Sequence, residues 1–205
     1  MCANYRPASR DALSAFPLPP PDFPYGEAYP GSIVPIVSNF APREWVPACF
    51  GLVPGWAKDA RIARSTYNAR AETVGEKPSF RDAWRRGQLC IIPATEIYEP
   101  CYESGTAVRW RIARADGKPM GIAGIWAHRE DAGELPAWSM SMLTINADND
   151  PVMQRFHKPE DEKRSVVILP DDLWGNWLRA RSEQEAREML RLYPADALSV
   201  EASPR

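Results

Sequence analysis

The sequence predicts an α+β fold: a mostly antiparallel sheet, or an open β-barrel-like core, with a few flanking helices. Three observations predict it. Many short apolar runs are separated by turn residues, helical signals number only about three, and strands and helices do not alternate as in a parallel α/β sheet. At 205 residues with 44% hydrophobic and 25% charged side chains, the chain is long enough to bury a real core and too apolar to be disordered.

The elements follow in order. Residues 16–30 hold a Pro-Pro-Pro run, which can be neither helix nor central strand and reads as a semi-rigid surface crossing. Strands are expected over 31–37 and over 50–56, the second leading into a loop. Residues 79–87 carry helix signals at both ends: Ser79 as N-cap, Arg85 and Arg86 at the negative pole, Gly87 just beyond. Strand pieces follow at 89–93 and 96–99. Residues 107–114 and 119–126 flank Ala115-Asp116-Gly117-Lys118, a hairpin signal. Further strands are expected at 139–145 and 165–169. A helix capped by Asp171 or Asp172 runs through Trp177. A last helix over 183–192 opens with a capping box of Ser182 and Glu185. One domain over 2–195 is expected, with 196–205 as a C-terminal tail.

Composition narrows the function classes. No run of about 18 apolar residues exists, so no membrane-spanning helix is expected. The beginning of the chain carries no secretory pattern. Four cysteines without CxxC spacing point to reduced thiols in a cytoplasmic protein, with Cys49, Cys90 and Cys101 as buried small hydrophobes. No metal or cofactor is expected. The net charge of −2 argues against nucleic-acid binding by bulk charge, yet eight basic residues stand against four acids between Lys58 and Arg86. Such a patch can hold a short anionic ligand.

Four segments carry chemistry. Removal of Met1, expected before a small side chain, would leave Cys2 with an α-amine (about 7.7 to 8.0) beside a thiol (about 8.5). This 1,2-aminothiol condenses with an aldehyde to an imine, and the thiol then closes a five-membered thiazolidine. In the basic stretch, Tyr67-Asn68-Ala69-Arg70-Ala71-Glu72-Thr73 offers an amide and a planar phosphate fork, or else a polar turn. Glu99 ends an apolar strand, where a drying carboxylate gains a raised pKa and can shuttle protons. His157, one of two histidines, precedes a buried strand.

Taken in order, Cys2, GLVPGWAKD (51–59), NARAET (68–73), IIPATEIYE (91–99) and HKPEDEKRSVVIL (157–169) resemble the SRAP (SOS-response-associated peptidase) family over nearly the whole chain. The resemblance implies an SRAP-like fold and covalent capture of abasic sites in single-stranded DNA by Cys2 as a protective thiazolidine. It leaves open an accompanying lyase or self-cleaving peptidase activity. It implies that Asn68 orients the sugar or the Cys2 backbone, that Arg70 grips a phosphate, that Glu99 donates and accepts protons, and that His157 assists beside the sugar hydroxyl. Trp56 and Phe50 are expected as stacking faces. Many family members begin MCGRY or MCGRF. Here Asn4 replaces the arginine, with Arg6 the candidate to compensate at the DNA, and Pro100 stands where a Trp commonly follows the glutamate. The implied partner is single-stranded DNA with abasic sites, bound by a monomer that is cytoplasmic and nucleoid-associated on DNA. The alternative reading is an N-terminal-nucleophile thiol peptidase or amidohydrolase using Cys2.

Overall fold

The computed structural model describes residues 2–15, 18, 19, 23, 26–130 and 132–204. Most of the Pro-Pro-Pro crossing lies outside the described residues. Eleven strands are described: β1 (Asn4–Pro7), β2 (Ile33–Ser38), β3 (Val46–Phe50), β4 (Asn68–Arg70), β5 (Leu89–Cys101), β6 (Val108–Arg114), β7 (Met120–His128), β8 (Trp138–Asn146), β9 (Arg164–Val166), β10 (Ile168–Leu169) and β11 (Leu198–Ala202). The α-helices are short: α1 (Arg81–Arg85), α2 (Trp174–Arg179) and α3 (Glu183–Glu188).

The α+β expectation holds, and the barrel closes. β2 pairs with β3, β3 with β8, β8 with β7, β7 with β5 and β5 with β2. That five-strand circuit leaves no raw edge inside the core. Most pairings are antiparallel; β3 and β4 run parallel to β8.

Alternation along the strands builds two cores. Cys90, Ile92 and Ala94 of β5 join Met120, Ile122, Met140 and Met142 inside the barrel. Leu89, Ile91, Ile125 and Leu143 face outward against Trp84 of α1 and Trp177 of α2. The Trp177 indole donates to the Cys90 carbonyl at 2.8 Å, tying α2 to the barrel wall.

β5 is a single thirteen-residue strand, although Pro93 divides it in the sequence. Along one edge it pairs with β2 at Cys90 and Ile91, then with β1 from Ala94 to Tyr98. Pro93 falls in the gap between those partners, where a missing N–H costs no ladder bond. Along the other edge it pairs with β7 and then with β6.

Residues 115–118 are therefore no hairpin. β6 and β7 lie along successive stretches of the same β5 edge, and the turn carries the chain from one to the other. Asp116 accepts from Lys118 N at 3.1 Å, and Gly117 adopts φ +73°, which gives the segment its turn chemistry without a ladder between the flanking strands.

Other boundaries shift for local reasons. Of the strand expected over 50–56 only Phe50 is in a strand, the last residue of β3, because Gly51 takes φ +118° and turns the chain away. Helix α1 starts at Arg81 with Phe80 at its N-cap position and no side-chain cap, so Ser79 does not serve. The run 165–169 divides into β9 and β10. Residues 171–173 form a 3-10 turn before α2, and α3 stops at Glu188. Ser182 does cap α3, accepting from Glu185 N at 3.1 Å. The residues set apart as a tail carry β11, which pairs with β6 from Leu198↔Arg114 to Ala202↔Trp110. All four cysteines are free and buried. Among the described residues, no helix is long and apolar enough to cross a membrane.

Candidate active site

Three strands and one loop bring four distant residues together. β1 runs antiparallel to β5, with Asn4 opposite Tyr98 and Tyr5 opposite Ile97, so Cys2 is carried toward the Glu99 end of β5. β4 is pinned parallel to β8, Asn68 opposite Met142. Strand alternation puts Asn68 and Arg70 on one face and buries Ala69 on the other. The first half of NARAET, Asn68–Arg70, is thus strand, and the rest is the turn that the sequence alone left open.

Asn68 is 9% exposed, and its Nδ2 donates to the Cys2 carbonyl at 2.9 Å. Its Oδ1 is buried without a hydrogen-bond partner among the described residues. The Cys2 thiol donates to Asn4 O at 3.4 Å. Cys2 is buried, and burial, seconded by the Glu99 charge, holds its thiol well above the usual range, so the sulfur is a thiol rather than a thiolate at neutral pH.

Glu99 is 3% exposed, and His157 Nε2 lies 3.3 Å from its Oε2. Burial pushes the Glu99 carboxyl up to about 7. An ion pair with this carboxylate would raise the imidazole. Burial prevails: with the charges of the N-terminal amine and of Lys163 pulling the same way, against a smaller pull from Asp161, His157 comes down to about 4. At neutral pH the pair is a neutral imidazole beside a carboxyl group poised between its two forms. That is a proton donor and acceptor in one place.

His157 is the only non-glycine with positive φ among the described residues, at 62°. Its N–H donates to Pro100 O at 2.8 Å, and Phe156 bridges to Cys101. The β5 end therefore holds both Glu99 and the backbone that presents His157. A histidine held left-handed is locally concentrated backbone strain, of the kind that gathers at functional sites.

His157 also lines three clefts. One of about 380 Å³ is bounded by Ala3, Asn4, Tyr98, Glu99 and Arg109. A second of about 290 Å³ is bounded by Tyr67, Arg70, Glu162 and Arg164. A third of about 470 Å³ is bounded by Tyr102, Glu103, Arg155 and Lys163.

The remaining candidates divide. Arg70 is half-exposed and lies 2.7 Å from Glu162 Oε2, so a phosphate there would compete with a carboxylate. Trp56 is 56% exposed, its indole donating to Pro78 O at 3.3 Å. Phe50 is wholly buried, edge-on to Tyr5 and Tyr67, and offers no face to a base; an aromatic at the end of a barrel strand packs inward. Arg6 does not reach over Asn4. It lies 3.4 Å from Glu96 and 3.9 Å from Glu27.

The arginine beside Asn4 is Arg109, which sequence reasoning missed. Its Nη2 donates to Asn4 Oδ1 at 3.0 Å and to Glu27 at 2.6 Å, and its guanidinium lies 3.4 Å above the centre of the Tyr98 ring. Arg109, Tyr67 and Lys163 sit on ordinary-looking strand and loop segments, and only the fold brings them to the clefts. Among the described residues, no group of three or more His, Cys, Asp or Glu could hold a metal.

Comparison with known proteins shows the family of the chain. The family model for SOS response associated peptidase (SRAP) matches residues 19–203. Abasic site processing protein YoaM of Bacillus subtilis (strain 168) is 30% identical over 188 residues, which span 88% of this chain and 79% of that protein. Abasic site processing protein YoqW of the same organism is 29% identical over 187 residues, spanning 87% and 80%. A crystal structure of a protein from Bordetella bronchiseptica superposes with a TM-score of 0.88 at 36% identity, each chain being covered in full. With the family match running from residue 19 to 203 of 205, the chain belongs to the SRAP family, the SOS response associated peptidases.

Proposed function

We propose that this protein processes abasic sites in DNA, capturing the lesion in single-stranded DNA through Cys2 once Met1 has been removed. The relatives named abasic site processing proteins support the substrate class. The observation that carries the chemistry is the convergence of Cys2, Asn68, Glu99 and His157 from four remote segments.

Ring opening of the deoxyribose exposes an aldehyde at C1. The Cys2 amine adds to C1, and the carbinolamine oxygen takes a proton from Glu99 and leaves as water, giving the protonated imine. The thiol adds to the imine carbon, its proton passing to the carboxylate. Aldehyde and aminothiol have then become thiazolidine and water, and Glu99 has regained its starting form. A carboxyl near 7 serves both halves of that cycle at neutral pH. Asn68 holds the Cys2 backbone so that nitrogen and sulfur approach one carbon. His157, neutral and in contact with Glu99, relays the proton during ring opening and during reversal of the cross-link. Arg70 grips the phosphate beside the lesion in exchange for Glu162, and Trp56 offers a stacking face to a neighbouring base. The protein acts as a monomer.

The test is a denaturing gel after incubation with an oligonucleotide carrying one abasic site. A slow-migrating band is expected with wild-type protein and none with Cys2→Ala. A full-strength band from Cys2→Ala, or steady cleavage of peptides with no DNA adduct, would overturn the reading.

A further inference from the structure

The residue before Asn68 has no part in the scheme above. Tyr67 opens the segment whose next residue clamps Cys2, and its carbonyl accepts from Met142 N at 3.0 Å, which fixes its backbone to β8. Its ring stands edge-on to Phe50 at 5.9 Å and 76°. Phe50 in turn stands edge-on to Tyr5 at 5.2 Å and 89°. The three rings form a row that holds the phenol in place from the barrel interior outward. The Tyr67 hydroxyl has no hydrogen bond with any described residue. The ring is half-buried and lines the 290 Å³ cleft with Arg70 and His157. Tyr67 therefore borders the cleft that His157 shares with the arginine of the phosphate fork, close enough to Glu99 for that charge to act on its phenol.

Resting on the proposed abasic-site reading, we infer that Tyr67 is a further substrate-contacting residue, its phenol O–H donating to the hydroxyl oxygen at C4 of the ring-opened deoxyribose. The chemistry favours this partner. With C1 at Cys2 and a phosphate on Arg70, the oxygen released by ring opening lies on the stretch of sugar between them. Of the residues lining that cleft, only the phenol and the neutral His157 imidazole are uncharged donors, and the scheme above already uses His157. Burial, followed by the Glu99 charge, holds the Tyr67 phenol above its ordinary pKa, so it remains a donor throughout the working pH range. A donor that meets the open-chain sugar and not the closed ring selects the reactive form and accelerates capture without tightening binding to unreactive DNA.

The experiment compares Tyr67→Phe, Tyr67→Leu and wild type in two measurements. The first is the cross-linking rate on DNA carrying one abasic site. The second is the affinity for DNA carrying a tetrahydrofuran analogue, which cannot open. Tyr67→Phe keeps the ring row and is expected to slow cross-linking about tenfold, with analogue affinity within about twofold of wild type. Tyr67→Leu is expected to slow it at least as much. Urea unfolding of both variants separates a lost hydroxyl from a damaged core. A Tyr67→Phe protein that cross-links at the wild-type rate, or one that loses rate and analogue affinity in equal measure, overturns the inference and leaves the abasic-site reading standing. Wild-type protein that forms no cross-link overturns both.

Discussion

The side-chain amide of Asn68 reaches across the site to the main-chain carbonyl of Cys2, 2.9 Å away. Among the described residues, it is the side chain that hydrogen-bonds the backbone of the residue expected to react. Asn68→Ala removes the donor, and the N-terminal strand gains freedom where two atoms must meet one carbon. Misplacement of about 1 Å costs on the order of a hundredfold in a positioned reaction. The expected result is a cross-linking rate lowered by about ten- to a hundredfold. The stability loss should be only about 1 kcal/mol, as for one buried hydrogen bond. Gel time courses and urea unfolding on the same preparation check both.

Glu99 and His157 should pull stability in opposite directions as pH changes. Glu99 is raised from 4.5 to about 7 in the fold, so its contribution is complete below 4.5 and is lost as pH rises through 7. His157 is lowered from 6.5 to about 4, so its contribution is complete above 6.5 and is lost as pH falls through 4. Between 4.5 and 6.5 the two slopes oppose each other. Glu99→Gln should unmask a stability that rises with pH from about 4 to 6.5, and His157→Ala one that falls between about 4.5 and 7. Urea unfolding at half-unit pH steps reads both slopes, and parallel curves for the two variants would defeat the assignment.

The cross-linking rate should itself be bell-shaped. It needs an unprotonated amine, with an ordinary pKa of about 7.7 to 8.0, and a protonated Glu99. With the carboxyl at about 7, the product of those two populations peaks between the two values. Glu99→Gln should abolish the alkaline limb and lower the plateau. A wild-type rate that climbs without limit above pH 8 would remove Glu99 from the acid role.

Much of this was legible before any coordinates. Cys2, Asn68, Glu99 and His157 each stand in a segment whose chemistry is local: a terminal aminothiol, an amide in a polar run, a carboxylate ending an apolar strand, a histidine entering one. Their meeting was not local. It depends on β5 changing partners at Pro93, a proline that reads as the end of a strand when no partner is in view. The same switch makes a crossing of residues 115–118, whose turn signal is real but says nothing about which strands pair. Arg109 was invisible because its value lies in what it touches, Asn4, Glu27 and Tyr98, none of them near it in sequence apart from the β5–β6 ladder. Phe50 was expected as a stacking face only through the family resemblance, with no local signal for its exposure. Its place on the inner face of β3 depends on barrel closure.

The left-handed backbone of His157 separates its structural from its chemical role. Asparagine tolerates this conformation, whereas a β-branched residue does not. His157→Asn should fold with stability within about 1 kcal/mol of wild type yet lose proton relay, slowing reversal of the cross-link. His157→Val should lose relay and also about 1 to 3 kcal/mol, the range for a strained backbone. Equal stabilities for the two variants would mean that the loop can relax and that φ at 157 is not enforced by the Pro100 contact.

Two glycines test the turn that ends β3 and releases the Trp56 loop. Gly31 and Gly51 both have positive φ, +102° and +118°, so alanine is strained at either. They differ in surroundings. A Cβ on Gly31 meets nothing within 4 Å, whereas one on Gly51 would lie 2.2 Å from the Ala63 carbonyl oxygen and 2.5 Å from the Ala63 Cα. Backbone cannot step aside as a flexible side chain can, and Gly51 N is itself bonded to Met140 O of β8 at 2.9 Å. Gly31→Ala should therefore cost about 1 kcal/mol, the backbone term alone. Gly51→Ala should cost upward of about 3 kcal/mol, since overpacking against fixed atoms adds to that term. Urea midpoints decide between them: equal losses would mean that the 60–65 turn shifts freely away from β3, and that the tight approach of Gly51 to Ala63 does not hold the Trp56 loop in place.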